Sequence, residues 1–217
     1  MTDAATRLDD VRDDMVRACK ASRRRIDDVT LIAVSKRRSA DEIAALADAG
    51  VLHFGENRVA EVEEKWPAIR QARPGLILHM VGQLQSNKAA DAVRLFDVIH
   101  SLDRPSLLDA LVRESARAGR APSVYVQVNI GDEEQKGGVA IDDLPDFLAK
   151  VRTSGLPLAG LMGMPPRGVQ AGPYFALLAD LARRHGVNGL SMGMSDDFAT
   201  AIMMGATAIR VGTALFE

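Results

Sequence analysis

The chain alternates between short, wholly apolar runs and longer segments in which apolar residues recur every three or four positions. Because the short runs lack polar alternation, they are typical of strands in a sheet that is covered on both faces. The longer segments are typical of amphipathic helices. The apolar runs that we predict as strands span residues 30–36, 51–56, 76–82, 97–102, 123–130, 157–164, 188–194 and 208–216.

Strict alternation of strand and helix predicts parallel strand pairing and the α/β class. Eight such units predict a (β/α)8 TIM barrel, with one extra helix before the first strand. A doubly wound open sheet is the alternative, since periodicity does not separate the two. The pattern contains no linker or low-complexity stretch, so we predict that residues 1–217 form one domain.

Several helix boundaries can be predicted from capping residues. Thr2 or Asp3 is the expected cap of the first helix, and Ser39 with Glu42 predicts a capping box for the second. Pro67 is expected to end the helix that begins near residue 57. The segment SDDFATAIMMGA is expected to be helical, and its first three residues, 195–197, are expected at or near the cap.

Composition restricts the classes of partner. The 27 basic and 29 acidic residues give a net charge of −2, which argues against a general nucleic-acid binder. No apolar run approaches the ~20 residues of a membrane span, and the acidic N-terminus is unlike a signal peptide. The single cysteine, Cys19, excludes an intramolecular disulfide and fits a reducing cytosol, so we expect a cytoplasmic protein.

Polar residues follow several of the predicted strands, at the end where the active sites of such barrels lie. Lys36 ends the first strand, and Glu56 and Asn57 end the second. A lysine there, with an apolar stem environment and a polar opening, is suited to Schiff-base chemistry. In isolation, an ordinary solvated lysine is the better interpretation. The other end of the chain changes that balance.

Two glycine-containing patterns near the C-terminus indicate an anion site. Ser191 and Ser195 flank a glycine as Ser-x-Gly-x-Ser, and Arg210 precedes Gly212 and Thr213 as Arg-x-Gly-Thr. Glycines allow close approach of backbone N–H groups, hydroxyls add donors, and the loops after strands 7 and 8 commonly bind phosphate. Together with Lys36, these patterns predict pyridoxal 5′-phosphate held covalently on the lysine.

His79 lies in the third predicted strand and has two interpretations. A histidine in an apolar strand is more often a hydrogen-bonded core group than a ligand contact, but this one lies close to the predicted site. The four histidines show no metal-ligand spacing such as HExxH, so no metal site is predicted. Methionines in the predicted strands are expected to fill the core.

Motifs along nearly the whole chain resemble the pyridoxal phosphate homeostasis protein family. The block HMVGQLQSNK is the most specific of them. The resembling motifs, in chain order, are AVSK, HFGENRV, LHMVGQLQSNK, VQVNIGDEEQKGGV, GLMGMPP, GLSMGMSDDFATAI and IRVGTALF.

The resemblance implies a fold-type III barrel like the N-terminal domain of alanine racemase, with the cofactor on Lys36. It implies that Arg210 faces the pyridine nitrogen. It implies that Ser191, Gly212 and Thr213 hold the phosphate, with Ser195 as a further partner. Asn57 and His79 are expected to complete the cofactor contacts. An arginine at the pyridine nitrogen leaves that nitrogen unprotonated and weakens the ring as an electron sink.

Three function hypotheses of different classes follow, of which the last is an interaction module with a vestigial site that would lack cofactor after purification. The first is a protein that binds pyridoxal phosphate, buffers it or delivers it to apo-enzymes, and acts as a monomer without robust catalysis. The second is a small amino-acid racemase or another enzyme that depends on the same cofactor. Racemases of this fold use a second domain and a tyrosine base, and we expect neither here, since Tyr125 and Tyr174 fall within a predicted strand and a predicted helix.

Overall fold

A computed structural model, which describes residues 4–133 and 135–217, contains eight parallel strands that close into a barrel. Each strand pairs with its neighbours in chain order, and β8 pairs with β1, so the sheet has no open edge. The predicted barrel is confirmed and the open-sheet alternative is wrong. The strands are β1 (Thr30–Val34), β2 (His53–Glu56), β3 (Ile77–Met80), β4 (Val98–Leu102), β5 (Ser123–Gln127), β6 (Leu158–Met162), β7 (Leu190–Ser191) and β8 (Ala208–Val211).

In the described residues, one α-helix and a short 3₁₀ helix (Ile26–Asp28) precede the first strand, and an α-helix follows each strand, as the alternating pattern predicts. None of the helices in residues 4–133 and 135–217 is long and apolar enough to cross a membrane. The helices are α1 (Ala4–Ala21), α2 (Ala40–Asp48), α3 (Val59–Ala72), α4 (Ala89–Leu95), α5 (Pro105–Ala118), α6 (Leu144–Thr153), α7 (Gly172–Arg184), α8 (Phe198–Met203) and α9 (Thr213–Phe216).

The N-terminal helix α1 packs on the outside of the barrel against α8, α9 and α2. It buries an apolar stripe that includes Leu8, Met15 and Cys19. Arg24, beyond its end, donates hydrogen bonds to the carbonyls of Ile202 (2.9 Å) and Ala206 (2.7 Å), so α1 and α8 are tied together. The predicted cap at Thr2 or Asp3 lies outside the described residues.

The segment after β1 folds as its sequence predicts. The Ser39 hydroxyl accepts a hydrogen bond from the N–H of Glu42, and the Glu42 carboxylate accepts one from the N–H of Ser39 (2.8 Å), so the capping box is confirmed. Gly50 follows α2 with φ of +92°, a conformation that L side chains rarely adopt. Helix α2 therefore has a defined start and end directly after β1.

Most predicted strands are longer than the observed ones, and three further boundaries are wrong at a helix or at the C-terminus. Helix α3 continues through Pro67, because Trp66 and Ile69 are buried on either side of it and hold the helix on the barrel. The last strand ends at Val211 rather than at residue 216, and Thr213–Phe216 form helix α9 instead. Helix α8 begins at Phe198, so Ser195 and Asp196 lie before it and Asp197 is its N-cap residue.

Candidate cofactor site

A cleft of about 440 Å³ opens at the carboxyl end of the barrel. Six of the eight residues predicted as cofactor contacts line it, and the other two, His79 and Ser191, are buried. The lining residues are Val34, Lys36, Asn57, Val81, Lys136, Met164, Pro165, Arg167, Met194, Ser195, Asp196, Arg210, Gly212 and Thr213.

Lys36 lies in the turn after β1 and is exposed. The sequence led us to expect partial burial, but β1 ends at Val34 and the turn carries the side chain past the wall of the barrel. Within the described part of the chain, its ammonium makes no hydrogen bond or ion pair. The side chain is therefore unpaired and accessible to a ligand in the cleft.

The turn that carries Lys36 is held from outside the barrel by Lys65 of α3. The Lys65 ammonium donates to the carbonyls of Ser35 (2.9 Å) and Arg38 (3.3 Å), which lie on either side of the reactive lysine. It also pairs with the Glu56 carboxylate at 2.7 Å. The backbone around Lys36 is thereby fixed in position relative to β2.

Glu56, a strand-end candidate in the sequence, does not reach the cleft. Its side chain is fully buried between the barrel and α3, where one carboxylate oxygen accepts from the Ser35 hydroxyl (2.7 Å) and the Trp66 indole (3.0 Å). Side chains alternate along a strand, so Glu56 shares the outer face with Phe54, whose ring packs on Trp66. Asn57, the next residue, lines the cleft instead.

Asn57 is positioned by a close backbone approach. A Cβ atom at Gly82, just beyond β3, would lie 2.3 Å from the Asn57 carbonyl oxygen, so only glycine fits there. The two strand ends can therefore pack together, and Asn57 is placed in the wall of the cleft.

Arg210 on β8 is the most unusual group in the site, because its guanidinium is buried without a carboxylate partner. Only 5% of the residue is exposed, and no ion pair of the described residues includes it. Its Nη1 donates to the Ser191 hydroxyl at 2.6 Å. Burial lowers the pKa of Arg210 to about 10, against smaller opposing effects of Asp197 and Tyr125. A buried cation of this kind is stabilised by an anionic or acceptor ligand.

Ser195 joins the loop after β7 to the start of α9. Its hydroxyl oxygen accepts from the backbone N–H of Gly212 (3.3 Å) and Ala214 (3.4 Å). Asp197 accepts from the N–H of Met194 (2.6 Å) and makes no side-chain capping bond to α8. Ser195 thus stands beside Gly212 and Thr213 at the cleft rather than serving only as a helix cap.

His79 and Ser191 lie beneath the cleft, inside the barrel. His79 Nε2 is 3.0 Å from His53 Nδ1, and His79 Nδ1 is 2.9 Å from His100 Nε2. His100 Nδ1 is in turn 2.8 Å from the Ser191 hydroxyl, which contacts Arg210. The structure therefore places His79 and Ser191 in a hydrogen-bonded chain under Arg210.

Burial keeps these histidines neutral. Burial, and then the neighbouring His53, lower the pKa of His79 to about 3. Burial, then His79 and Arg210, hold the pKa of His100 well below its ordinary value. The Tyr125 ring stacks on His100 with ring centroids 4.4 Å apart, which closes this part of the barrel interior.

The residues present fit a phosphorylated aldehyde. Lys36 supplies an unpaired amine, and Arg210 supplies a buried guanidinium that can donate to an acceptor such as a ring nitrogen. Ser195, Gly212 and Thr213 supply hydroxyl and backbone donors within the same cleft. An amine that can condense with a carbonyl, together with donors for an anion, matches both ends of such a ligand.

Two groups of site residues were missed from the sequence. Lys136 and Arg167 line the cleft from loops, and nothing in their local sequence indicates it. His53 and His100 were considered only as metal ligands. The signal for them was that His53, His79 and His100 occur on consecutive predicted strands, where inward-facing positions can meet.

The sequence matches a known protein family and several proteins of known name along most of its length. Residues 12–217 match the family described as alanine racemase, N-terminal domain. The pyridoxal phosphate homeostasis protein of Escherichia coli K12 is 36% identical over 228 residues, covering 100% of this chain and 97% of that protein. The protein of the same name from Deinococcus radiodurans is 40% identical over 191 residues, covering 87% of this chain and 88% of that one.

Solved structures agree with these relatives. PipY of Synechococcus elongatus PCC7942 with PLP bound superposes with a TM-score of 0.85 at 37% identity, covering 99% of this chain and all of PipY. An alanine racemase of Clostridium difficile 630 superposes with a TM-score of 0.70 at 15% identity, which shows the fold alone. This chain covers 56% of the racemase.

Proposed function

We propose that this chain, which belongs to the family of pyridoxal phosphate homeostasis proteins, binds pyridoxal 5′-phosphate on Lys36 and serves as a reservoir for it. The observation that carries the proposal is that one cleft contains both the Lys36 amine, which has no partner in the described structure, and the buried guanidinium of Arg210, which has no carboxylate partner there. The PLP-bound structure of PipY, at 37% identity, supports the choice of ligand.

Six residues of the cleft have a role in this proposal. The bound cofactor supplies an aldehyde, which reacts reversibly with a lysine amine. Lys36 provides that amine, and Arg210 donates toward the pyridine nitrogen, which it keeps unprotonated. Ser195, Gly212 and Thr213 donate to the phosphate, and Asn57 forms part of the opposite wall. The whole of residues 1–217 acts as one cofactor-binding domain.

Retention and release, rather than turnover, are the proposed activity. Racemisation needs an acid–base group on each face of the substrate, and Lys36 serves one face only. The tyrosines and the cysteine are placed elsewhere: Tyr125 is stacked on His100 inside the barrel, Tyr174 lies on α7, and Cys19 is buried in α1. Lys136 lines the cleft, but its ammonium is paired with Glu133 and donates to the Pro165 carbonyl. The protein is proposed to act as a monomer in the cytoplasm and to supply apo-enzymes that require the cofactor.

The attachment site can be tested by reduction. We expect borohydride treatment of the loaded protein to leave a pyridoxyl group on Lys36, identified by peptide mass mapping. Lys36→Ala should lose the adduct, whereas Lys88→Ala, an exposed lysine at the start of α4, should keep it. A principal adduct on Lys88 or Lys136 would show that the assignment is wrong.

The carrier role can be tested by transfer. We expect the loaded protein to reactivate an apo-aminotransferase, whereas prolonged incubation with L- or D-amino acids should give racemisation at background. For the monomer, we expect sedimentation equilibrium to give the mass of a single chain, both with and without cofactor. Lys36-dependent racemisation of a common amino acid at an enzymatic rate would instead support the enzyme alternative.

A further inference from the structure

The barrel interior contains a continuous hydrogen-bonded chain from its amino end to the cofactor cleft. It begins at His53, the first residue of β2, and passes through His79 on β3 and His100 on β4 to Ser191 on β7. The final contact is 2.6 Å, from Arg210 Nη1 to the Ser191 hydroxyl oxygen.

Strand register explains how three histidines come to form this chain. His53 pairs in register with Ile77, and His79 lies two residues beyond Ile77 on the same strand. His79 pairs with Val98, and His100 lies two residues beyond Val98. Each histidine is therefore one inward position higher than the last, because neighbouring strands of a barrel are staggered.

The hydrogen bonds between His53, His79, His100 and Ser191 can run in only one of two directions. A neutral imidazole has one N–H donor and one acceptor nitrogen, so consecutive neutral histidines must all donate in the same direction. Burial favours the neutral form of both His79 and His100. Either every histidine carries its proton on Nε2 and donates toward His53, or every one carries it on Nδ1 and donates toward Ser191.

Arg210 selects between these directions. A guanidinium can only donate, so the Ser191 hydroxyl must accept from Arg210. If His100 also donated to Ser191, the serine hydrogen would be left without a partner, since the hydroxyl is fully buried and contacts no other acceptor among the described residues. A buried donor without a hydrogen-bond partner destabilises the folded protein. The hydroxyl therefore donates to His100.

We propose that His53, His79, His100 and Ser191 are positioning residues that form a one-way hydrogen-bond chain, with all three histidines as Nε2–H tautomers, and that this chain orients the Arg210 guanidinium toward the cleft. Ser191 thus supports Arg210 from below rather than contacting the phosphate. The effect on cofactor rests on the proposed function, whereas the direction of the chain is a property of the protein alone.

The direction is measurable in the cofactor-free, full-length protein by long-range ¹H–¹⁵N correlation NMR of its four histidines. We expect the Nε2–H pattern for His53, His79 and His100. An Nδ1–H pattern at His79 or His100 in the unmodified protein would overturn the proposal, and this measurement needs no variant.

Substitution of Arg210 tests the cause of the direction. In Arg210→Glu, the carboxylate at position 210 can only accept, so the Ser191 hydroxyl should donate to it and His79 and His100 should change to Nδ1–H. In Arg210→Lys, the ammonium can only donate, so the Nε2–H pattern should remain. A folded Arg210→Glu protein with unchanged tautomers would contradict control by this side chain.

Cofactor binding tests the positioning role. Ser191→Ala should weaken retention of pyridoxal phosphate on the order of tenfold, the loss expected for one supporting hydrogen bond. Ser101→Ala, at a buried hydroxyl without a partner on β4, is the matched control and should leave retention unchanged. Equal losses in the two variants would refute the positioning role. Failure of the unmodified protein to bind cofactor would refute the proposed function alone.

Discussion

At the scale of single residues, the wall of the barrel separates two buried ionic groups that have different tasks. Inside, Arg210 is held by neutral acceptors and has no carboxylate partner in the described structure. Outside, Glu56 and Lys65 form an ion pair at 2.7 Å, with the carboxylate fully buried and the lysine side chain 15% exposed. The outer charges neutralise each other and fix the turn of Lys36, although Glu56 Oε2 is buried without a hydrogen-bond partner, whereas the inner cation is left for a ligand.

The outer pair leads to a prediction about stability. Lys65→Met leaves the Glu56 charge buried and unpaired, so we expect the free energy of unfolding to fall by about 3 kcal/mol. Urea denaturation of the cofactor-free protein measures it. Replacing both partners, as Lys65→Met with Glu56→Gln, should recover much of the loss.

Lys88→Met is the surface control for that series, since the Lys88 side chain is 49% exposed and lies 3.9 Å from Asp91. It should change the free energy of unfolding by less than about 1 kcal/mol. A similar loss of unfolding free energy in Lys65→Met and Lys88→Met would show that burial of the Glu56–Lys65 pair does not increase its contribution to stability.

At the scale of elements, α3 shows how packing overrides a local signal. Pro67 has no N–H, so the Glu63 carbonyl lacks the hydrogen bond that a helix interior normally supplies. The helix nevertheless runs from Val59 to Ala72, because Trp66 and Ile69 are buried against the barrel on either side of the proline. Burial of two large apolar side chains stabilises more than the missing bond costs.

Helix α3 should therefore gain stability when the proline is removed. Pro67 is exposed, so Pro67→Ala restores one backbone hydrogen bond without creating a cavity. Allowing for the greater entropy of the unfolded chain, we expect a gain of roughly 1–2 kcal/mol in the free energy of unfolding by urea denaturation.

Pro105→Ala is the matched substitution for this test. Pro105 is the first residue of α5, where an N–H has no partner within the helix, so its replacement should bring no gain. An equal gain in both variants, or a loss in Pro67→Ala, would contradict this account of α3.

At the scale of the whole molecule, closure of the barrel removes two histidines from water and makes stability depend on pH. The unfolded chain protonates each histidine near pH 6.5, whereas burial lowers the pKa of folded His79 to about 3. The unfolded state therefore binds more protons between these values, and stability falls as the pH falls. His100, whose pKa is lowered in the same direction, adds to the effect.

We expect His79 to contribute about 1.4 kcal/mol per pH unit to the slope of stability between roughly pH 6 and 4. His79→Asn in the cofactor-free protein should reduce that slope by about this amount, measured by urea denaturation at several pH values. A loss of packing lowers the free energy of unfolding equally at every pH, so only the loss of the titrating group changes its slope against pH. An unchanged slope would show that His79 does not titrate as its burial requires.

Although it did not separate a barrel from an open sheet, the apolar pattern was enough to determine the eight strand–helix units, the extra helix and the approximate place of every strand, because burial on both faces forces unbroken apolar runs. It also determined that Lys36 and Arg210 follow or end strands whose carboxyl ends share one face. Local chemistry determined the Ser39 capping box. These features depend on residues that are close together in the sequence, so the sequence alone can predict them.

Only the tertiary structure decided which polar residues meet. His53, His79 and His100 form a chain because the stagger of β2, β3 and β4 sets their relative heights, and that stagger comes from barrel closure. Ser191 supports Arg210 because β7 and β8 are adjacent. Lys136 and Arg167 reach the cleft from loops, whose paths depend on packing. Distances between strands and loops arise from the closed fold, and no local pattern encodes them.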